Sequence, residues 1–186
     1  MVVGVLSGKT EKTMNETLNQ KQQALVAVAA CEAKDDQKTL ERILDDAFER
    51  GVLTVNEAKE TLSQLYAYTG FPRSLNALAS LQKVVAERRK KNRSVEVGCD
   101  ASPLPDDYDA LKQGAVVQTR MSGKPFDYAF APAVDYYLKA HLFGDIFARD
   151  VLTYSEREIV TVAALSAIDG AAVEGARGWR ATDGGY

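Results

Sequence analysis

Cysteine, histidine and proline are scarce in this 186-residue sequence, which contains two, one and five of them. The cysteines, Cys31 and Cys99, lie far apart, and neither has a second cysteine or a histidine at the short spacing that zinc sites and redox CxxC motifs require. We therefore expect no metal and no cofactor. We expect two buried, reduced thiols, with a disulfide between Cys31 and Cys99 as the alternative.

Long apolar runs and an excess of basic charge are missing as well. No apolar run approaches the roughly 20 residues that a membrane-spanning helix needs, and the net charge of −3 gives no positive field for nucleic acid. The apolar residues 1–6 are too few for the core of a signal peptide. These features predict no membrane partner, no nucleic-acid partner and a cytoplasmic location, with a trimmed export leader as the alternative.

The apolar residues that are present follow a helical period. They make up 46% of the sequence, which is enough for a globular core. The clearest stripe lies in residues 36–50, where the spacing i, i+3, i+4, i+7, i+8 is occupied by Leu40, Ile43, Leu44, Ala47 and Phe48. No segment alternates convincingly with the period of a strand. The sequence therefore predicts an all-α protein.

Residues with known preferences for helix ends divide the first half of the chain. Asp36 is placed to cap the start of one helix, and Gly51 to end it. Thr54 and Glu57 have the spacing of a capping box, and Pro72 suits the first turn of the helix that follows.

The second half of the chain is less regular. The basic run 88–91 is interpreted as a solvated helix end, and residues 92–108 as a linker. Residues 109–120 form a short helix that we expect to be interrupted at Gly114. Ser155 and Glu158 match the capping-box spacing, which predicts that the last helix starts there.

An internal repeat relates the two ends of the chain. An offset of 134 positions aligns residues 18–35 with 152–169 at seven identities in eighteen. The second copy stops short, and residues 170–186 are rich in glycine with no apolar period, so we expect this tail to be irregular. The predicted organisation is a first domain at 1–91, a linker at 92–128 and a partial second repeat at 129–186.

Three segments carry a resemblance to a known family. Residues 53–57 (LTVNE), 62–72 (LSQLYAYTGFP) and 75–78 (LNAL) look like the carboxymuconolactone decarboxylase family. Residues 143–149 (FGDIFAR) resemble the segment that joins two such domains in double-domain members. The resemblance is strong over 18–85 and moderate over 130–169.

The resemblance implies an alkylhydroperoxidase D-like helical bundle that assembles into homo-oligomers, as a dimer, trimer or hexamer. It implies either a lyase that acts on lactone acids or a peroxidase whose Glu is followed by CxxC and His. The positions that correspond to the peroxidase residues are Ala24, Asp36, Thr39 and Ile43 in the first repeat, and Glu158, Gly170, Val173 and Arg177 in the second. Only Glu158 matches, so the peroxidase reaction, which needs paired thiols, is disfavoured.

A decarboxylase needs a proton donor and a cation, and a few residues could supply them. His141 is the only histidine, and Asp145 lies one helical turn beyond it, where it could orient the ring. Together with Glu158 they are the predicted catalytic residues, and Glu158 reaches the same region if the two helices pack antiparallel. Arg73 and Tyr66 are the predicted substrate-binding residues.

Each candidate also has a structural interpretation. His141 could be a hydrogen-bonded packing residue, Glu158 only a capping residue, and Arg73 the partner of a surface acid. We expect Tyr66 to lie in the core and Tyr68 to face outward. The resulting hypotheses are a lyase for a small carboxylated or lactone substrate and a non-catalytic helical module that oligomerises. A closed polar pocket near His141 and Glu158 would favour the first.

Overall fold

The computed structural model describes residues 18–168, and these residues form helices joined by loops, without a strand. Within this range there are seven α-helices: α1 Gln20–Ala33, α2 Gln37–Glu49, α3 Val55–Thr69, α4 Phe71–Lys90, α5 Ala110–Ser122, α6 Pro132–Tyr136 and α7 Tyr154–Ala167. A π-helix, Tyr137–Ile146, continues directly from α6. The predicted all-α class is therefore confirmed for the described residues.

The predicted ends of the first helices are confirmed. Asp36 caps α2 by accepting a hydrogen bond from the backbone N–H of Thr39. Thr54 and Glu57 form the capping box at the start of α3, in which each side chain accepts from the other residue's backbone N–H. Gly70, at φ 85°, makes the sharp junction between α3 and α4 that a side chain would strain.

The core lies where α1 packs against α2, α3 and α7. Its centre consists of fully buried aliphatic side chains, among them Leu25, Val28, Leu44, Leu62, Leu65 and Val160. The helices α1 and α7, which the predicted repeat aligns with each other, lie in direct contact along their lengths. Contact between the two helices does not test the 134-residue offset, so the repeat stays a prediction.

The predicted start of the last helix is wrong by two residues. Thr153, and not Ser155, caps α7, and its capping-box partner is Glu156, and not Glu158. Both pairs satisfy the same spacing, so the pattern alone does not choose between them. As a result Glu158 lies beyond the first turn of α7, where capping does not account for its carboxyl group.

A single ammonium group connects the starts of three helices. Lys21 Nζ lies 2.6 Å from the Glu57 carboxylate of α3 and 2.8 Å from the Glu156 carboxylate of α7. Both carboxylates belong to capping boxes, so each is already fixed in position. The three charges therefore hold α1, α3 and α7 in one register at this end of the bundle.

The helix α5 is not interrupted at Gly114, as we expected, but runs through it. A Cβ atom at Gly114 would overlap the Lys139 carbonyl oxygen of the π-helix, and one at Gly144 would overlap the Ala110 carbonyl oxygen of α5. The two glycines are therefore required because the helices cross at backbone contact. Tyr108 secures this crossing by donating a hydrogen bond of 2.6 Å to the Gly144 carbonyl.

The segment 92–128, predicted as a linker, includes α5 and also packs against the start of α3. The carbonyls of Glu96 and Val97 accept hydrogen bonds from the first backbone N–H groups of α3, at Val55 and Asn56. These contacts satisfy donors that a helix start otherwise leaves unpaired. The domain boundaries stay a prediction, but part of this segment has a packing role.

The basic run at the end of α4 is only partly solvated. Arg89, Lys90 and Lys91 are exposed as expected, but Arg88 is buried at 3% exposure. Its guanidinium pairs with Asp45 at 2.7 Å and with Glu49 at 2.8 Å. The solvated interpretation is therefore wrong for Arg88, because α2 presents two carboxylates to it.

Several expectations concern cysteines, membranes or the chain ends. Both cysteines are free in the described residues; Cys31 is half-buried, whereas Cys99 is exposed, so its predicted burial is wrong. No helix among residues 18–168 is long and apolar enough to cross a membrane. The predicted irregular tail 170–186 and its three positions Gly170, Val173 and Arg177 lie outside the described residues.

Candidate functional site

A largely apolar groove of about 730 Å³ runs between α1, α7 and the end of α5. We refer to it as the Glu158 groove. Its apolar walls include Leu18, Val26, Ala30, Met121, Ile159 and Val162. Small and aliphatic side chains on α1 and α7 leave this space, because they do not fill the gap that the two helix backbones enclose.

Glu158 is the acidic side chain that lines the groove. Its Oε1 atom is buried and has no hydrogen-bond partner among the described residues. Burial disfavours the charged form of the carboxyl group and raises its pKa to about 8. Glu158 is therefore mostly protonated at neutral pH, and it can donate a proton to a molecule bound in the groove.

The position of Glu158 is fixed by its neighbour in sequence. Arg157 is fully buried and points away from the groove toward α3. Its guanidinium donates to Gln64 Oε1 at 3.0 Å and to Glu60 Oε2 at 3.1 Å. Because these bonds fix the rotation of α7, Glu158 is held on the side of the helix that lines the groove.

A positive charge lies at the edge of the same groove. Arg120, in the last turn of α5, has an exposed side chain that lines the groove. Its guanidinium carbon lies 5.7 Å from the centre of the Tyr154 ring, within the range of a cation–π contact. A cation over an aromatic ring beside an apolar wall can attract an anionic ligand and orient it.

His141 and Asp145 lie elsewhere. His141 Nδ1 is 2.8 Å from Asp145 Oδ2, so the expected pair forms on the π-helix. The two side chains are 48% and 55% exposed, and neither lines the Glu158 groove. The structure therefore brings His141 and Asp145 together with each other but not into the groove with Glu158.

The predicted substrate-binding residues also lie outside the groove. Tyr66 is half-buried against the cluster that contains Phe143; its ring stacks on Phe71 with centres 4.3 Å apart and lies 5.7 Å from the His141 ring. Arg73, in the first turn of α4, lies near the buried Glu32, whose raised pKa its charge partly offsets. Neither side chain lines the groove that contains Glu158.

Sequence reasoning missed two residues of the groove, and it predicted the wrong orientation for Tyr68, which lies outside the groove. It did not select Arg120 or Tyr154, because no local pattern indicates that residues 34 positions apart meet. Tyr68, expected to face outward, packs against the core, and its hydroxyl oxygen is buried without a hydrogen-bond partner among the described residues. Its pKa is raised well above the ordinary value, mainly by desolvation.

A second, smaller groove of about 370 Å³ lies between α1 and α2. Ala24 and Ile43 both line it, and these are the positions that the resemblance aligns with a Glu and a His. The two positions are 19 residues apart in sequence but share one groove in the fold. This groove therefore has an alanine and an isoleucine at the two positions that the resemblance aligns with an acid and a base.

No protein-family model matches this chain, and no curated protein matches it. The resemblance to the carboxymuconolactone decarboxylase family therefore rests on the quoted sequence segments alone.

Proposed function

We propose that this protein is a carboxymuconolactone decarboxylase-like lyase that acts on a small carboxylated substrate, such as a lactone acid, in the Glu158 groove. The observation that carries the proposal is a half-buried carboxyl group, with an unpartnered oxygen and a pKa raised by burial, in an apolar groove with a cation at its edge. These are the proton donor, the apolar wall and the positive charge that a decarboxylation without a cofactor requires.

The reaction assigns a separate task to each group. The apolar wall disfavours the substrate carboxylate relative to a less charged transition state. The bond between the carboxylate carbon and its neighbour breaks, CO2 leaves, and the electron pair moves to a conjugated carbonyl oxygen to form an enolate. Arg120 stabilises that oxygen, and Glu158 gives its proton to the carbon that lost CO2. Water then returns a proton to Glu158.

The groove also explains why a peroxidase reaction is a weaker proposal. A dithiol peroxidase needs a thiolate and a second thiol within reach of each other. Neither Cys31 nor Cys99 lines the Glu158 groove, and burial raises the pKa of the Cys31 thiol, which disfavours the thiolate. The described residues therefore offer acid catalysis in this groove and no thiol chemistry.

The test is CO2 release from a panel of small lactone acids and β-keto acids, measured in D2O to follow the proton donor. We expect turnover of at least one lactone acid, with deuterium on the carbon that lost CO2. Glu158→Gln removes the acidic proton and keeps the shape, so it should lower kcat by about 100-fold.

Glu96→Gln is the matched control, because Glu96 is exposed and contacts α3 only through its backbone. This variant should keep the activity of the wild type. Full activity in Glu158→Gln, with loss in His141→Gln, would place the proton donor at His141 and overturn the proposal. No turnover of any panel member by the wild type would overturn it as well.

The second candidate is the non-catalytic module that oligomerises. The observation in its favour is exposed apolar surface, including Val162 in the groove wall at 42% and Phe130 at 90%. Large exposed apolar patches mark sites of association. If the panel gives no turnover and Val162→Glu converts an oligomer into a monomer in sedimentation measurements, this second function replaces the first.

A further inference from the structure

The charged groups that line the Glu158 groove lie together at one end of it. Tyr154, Ser155 and Glu158 line the groove from the first two turns of α7. Arg120 is the basic side chain among the described residues of the groove wall, and its guanidinium carbon lies 5.7 Å from the centre of the Tyr154 ring. This end, which we call the head end, therefore contains both the cation and the carboxyl group with an unpartnered oxygen.

The remainder of the groove is apolar, and we call it the tail end. From α1 it is lined by Val26 and Ala30. Beyond Glu158, α7 contributes aliphatic side chains and one exposed hydroxyl, namely Ile159, Val162, Ala163, Ala167 and Ser166. None of these described residues carries a charge, so charge and apolar surface are separated along the length of the groove.

The direction of the two helices shows which residues lie at the tail end. Lys21 in the first turn of α1 pairs with Glu156 in the first turn of α7 at 2.8 Å, so the two helices start together. They stay in contact along their lengths and therefore run in the same direction. Ala30 lies nine residues after Lys21, and Ala167 lies nine residues after Glu158. Both are therefore far from the head end.

The length of the tail end exceeds that of a lactone ring. At about 1.5 Å per residue, α7 rises about 13 Å between Glu158 and Ala167. With C–C bonds of about 1.5 Å and tetrahedral angles, an extended alkyl chain advances about 1.25 Å per carbon, so about ten carbons match this length. The groove volume of about 730 Å³ also lies in the range of about 300–1,000 Å³ that is typical of sites for drug-sized ligands.

We propose that the Glu158 groove binds amphipathic carboxylates, with the carboxylate at Arg120 and an unbranched alkyl tail of about ten carbons along α1 and α7. This inference rests on the proposed function and names its substrate class, a lactone acid or β-keto acid that carries such a tail. The negative head complements the guanidinium, and the tail leaves water for an apolar wall.

The test is calorimetric titration of the full chain with saturated straight-chain alkanoates of four to twelve carbons at neutral pH. These probes have no conjugated carbonyl to accept the electron pair, so they report binding without turnover. We expect the affinity to rise about twofold to fourfold with each added CH2 group, because each one is buried in the half-open groove, and to level off near ten carbons. Arg120→Gln should lower the affinity for decanoate by about threefold to tenfold and leave that for decanol unchanged.

A second variant tests the position of the tail. Ala30→Leu places a larger side chain in the tail end, so we expect the affinity for decanoate to fall at least about tenfold while that for butanoate is unchanged. The matched control is Ala27→Leu, which makes the same change on α1 but in the wall of the smaller groove. It should leave the affinity for decanoate unchanged.

An affinity that does not rise with chain length would overturn the inference, and this measurement on the wild type stands even if Ala30→Leu does not fold. Equal effects of Ala30→Leu and Ala27→Leu on decanoate would overturn it too. So would failure of every alkanoate to bind to an oligomer that Ala30→Leu dissociates, since a second copy of the chain would then occupy the tail end.

The two proposals fail separately. Binding that strengthens with chain length, without CO2 release from β-keto acids that carry the tail, would contradict the lyase alone. CO2 release from short lactone acids, without any effect of chain length on binding, would contradict the tail site alone.

Discussion

Glu158 shows how burial changes the chemistry of one side chain. An exposed glutamate in the first turn of a helix stabilises the helix dipole and is ionised at neutral pH. Because α7 starts two residues earlier than predicted, Glu158 lies beyond the first turn. Its side chain is half-buried in the groove wall, where the uncharged form of the carboxyl group is favoured. The sequence contains both possibilities, because Thr153 and Ser155 each have a glutamate three residues later.

A repeated motif could have resolved this ambiguity. The string Leu-Thr-x-x-Glu occurs at 53–57 and again at 152–156. In both copies the leucine is buried and the threonine caps the helix that follows. A buried leucine just before the N-cap residue fixes where the helix can begin. The capping-box pattern considers only the N-cap and N3 residues, so it does not include this leucine.

The raised pKa of Glu158 makes the stability of the fold depend on pH. Between the ordinary value of 4.5 and about 8, the folded chain keeps the proton that the unfolded chain releases. The free energy of unfolding therefore falls as pH rises through this range. Glu158→Gln has no such proton. Between pH 5 and pH 9 we therefore expect its free energy of unfolding to rise by on the order of 2 kcal/mol relative to that of the wild type. The value is reduced because solvent in the open groove screens part of the charge.

Urea unfolding at several pH values measures this difference, with Glu96→Gln as the control for general charge effects. If the difference in unfolding free energy between the wild type and Glu158→Gln is the same at every pH, Glu158 is not buried as an uncharged acid.

At the scale of the helices, the start of α7 is open to a direct test. Thr153→Ala removes the side chain that accepts from the Glu156 backbone, so we expect a loss of about 1 kcal/mol in the free energy of unfolding. Ser155→Ala, two residues away on the exposed side, should change it by less than about 0.5 kcal/mol. Thermal unfolding of both variants measures this. A larger loss of stability in Ser155→Ala than in Thr153→Ala would show that α7 starts at Ser155, as the sequence predicted.

The crossing of α5 and the π-helix depends on Gly114. In an isolated helix Gly114→Ala would stabilise by about 1 kcal/mol. Here the added Cβ would overlap the Lys139 carbonyl oxygen, so we expect a net loss of about 2–4 kcal/mol. The neighbouring Gln113→Ala is exposed and serves as the control in the same thermal unfolding experiment. A more stable Gly114→Ala would mean that the two backbones do not touch.

The helices and their order were predictable, because each depends on local signals. The stripe of α2, the capping box of Thr54 and the break at Gly70 lie within a few residues of the structure they determine. The crossing at Gly114 was misinterpreted, because a glycine that allows close packing looks the same in sequence as one that ends a helix. The groove could not be predicted, since Arg120 meets Tyr154 only after this crossing brings α5 to α7.

At the scale of the whole molecule, residues 18–168 contain two apolar clusters of unequal size. The larger includes buried residues from α1 to α4 and α7, whereas the smaller consists of the buried residues Leu142, Phe143, Ile146 and Phe147 with partly buried neighbours. A small cluster buries less apolar area and opens at a lower free energy. We expect backbone amides in α5 and the π-helix to exchange with deuterium at least about tenfold faster than those of α3.

Mass spectrometry of exchanged peptides measures these rates. Phe143→Ala should speed exchange further in α5 and the π-helix and leave α3 nearly unchanged. Equal protection in all three segments would show that the molecule opens only as one unit.

The smaller groove between α1 and α2 has a consequence for stoichiometry. Ala24 lies there at the position that the 134-residue offset aligns with Glu158. If the ligand binds through the carboxyl group of Glu158, as proposed, the smaller groove lacks that group and should not bind it. Calorimetric titration with a substrate analogue should saturate at one equivalent per chain. Ala24→Glu would then test whether a carboxyl group at this position creates a second binding site. Saturation at two equivalents per chain would show that it does.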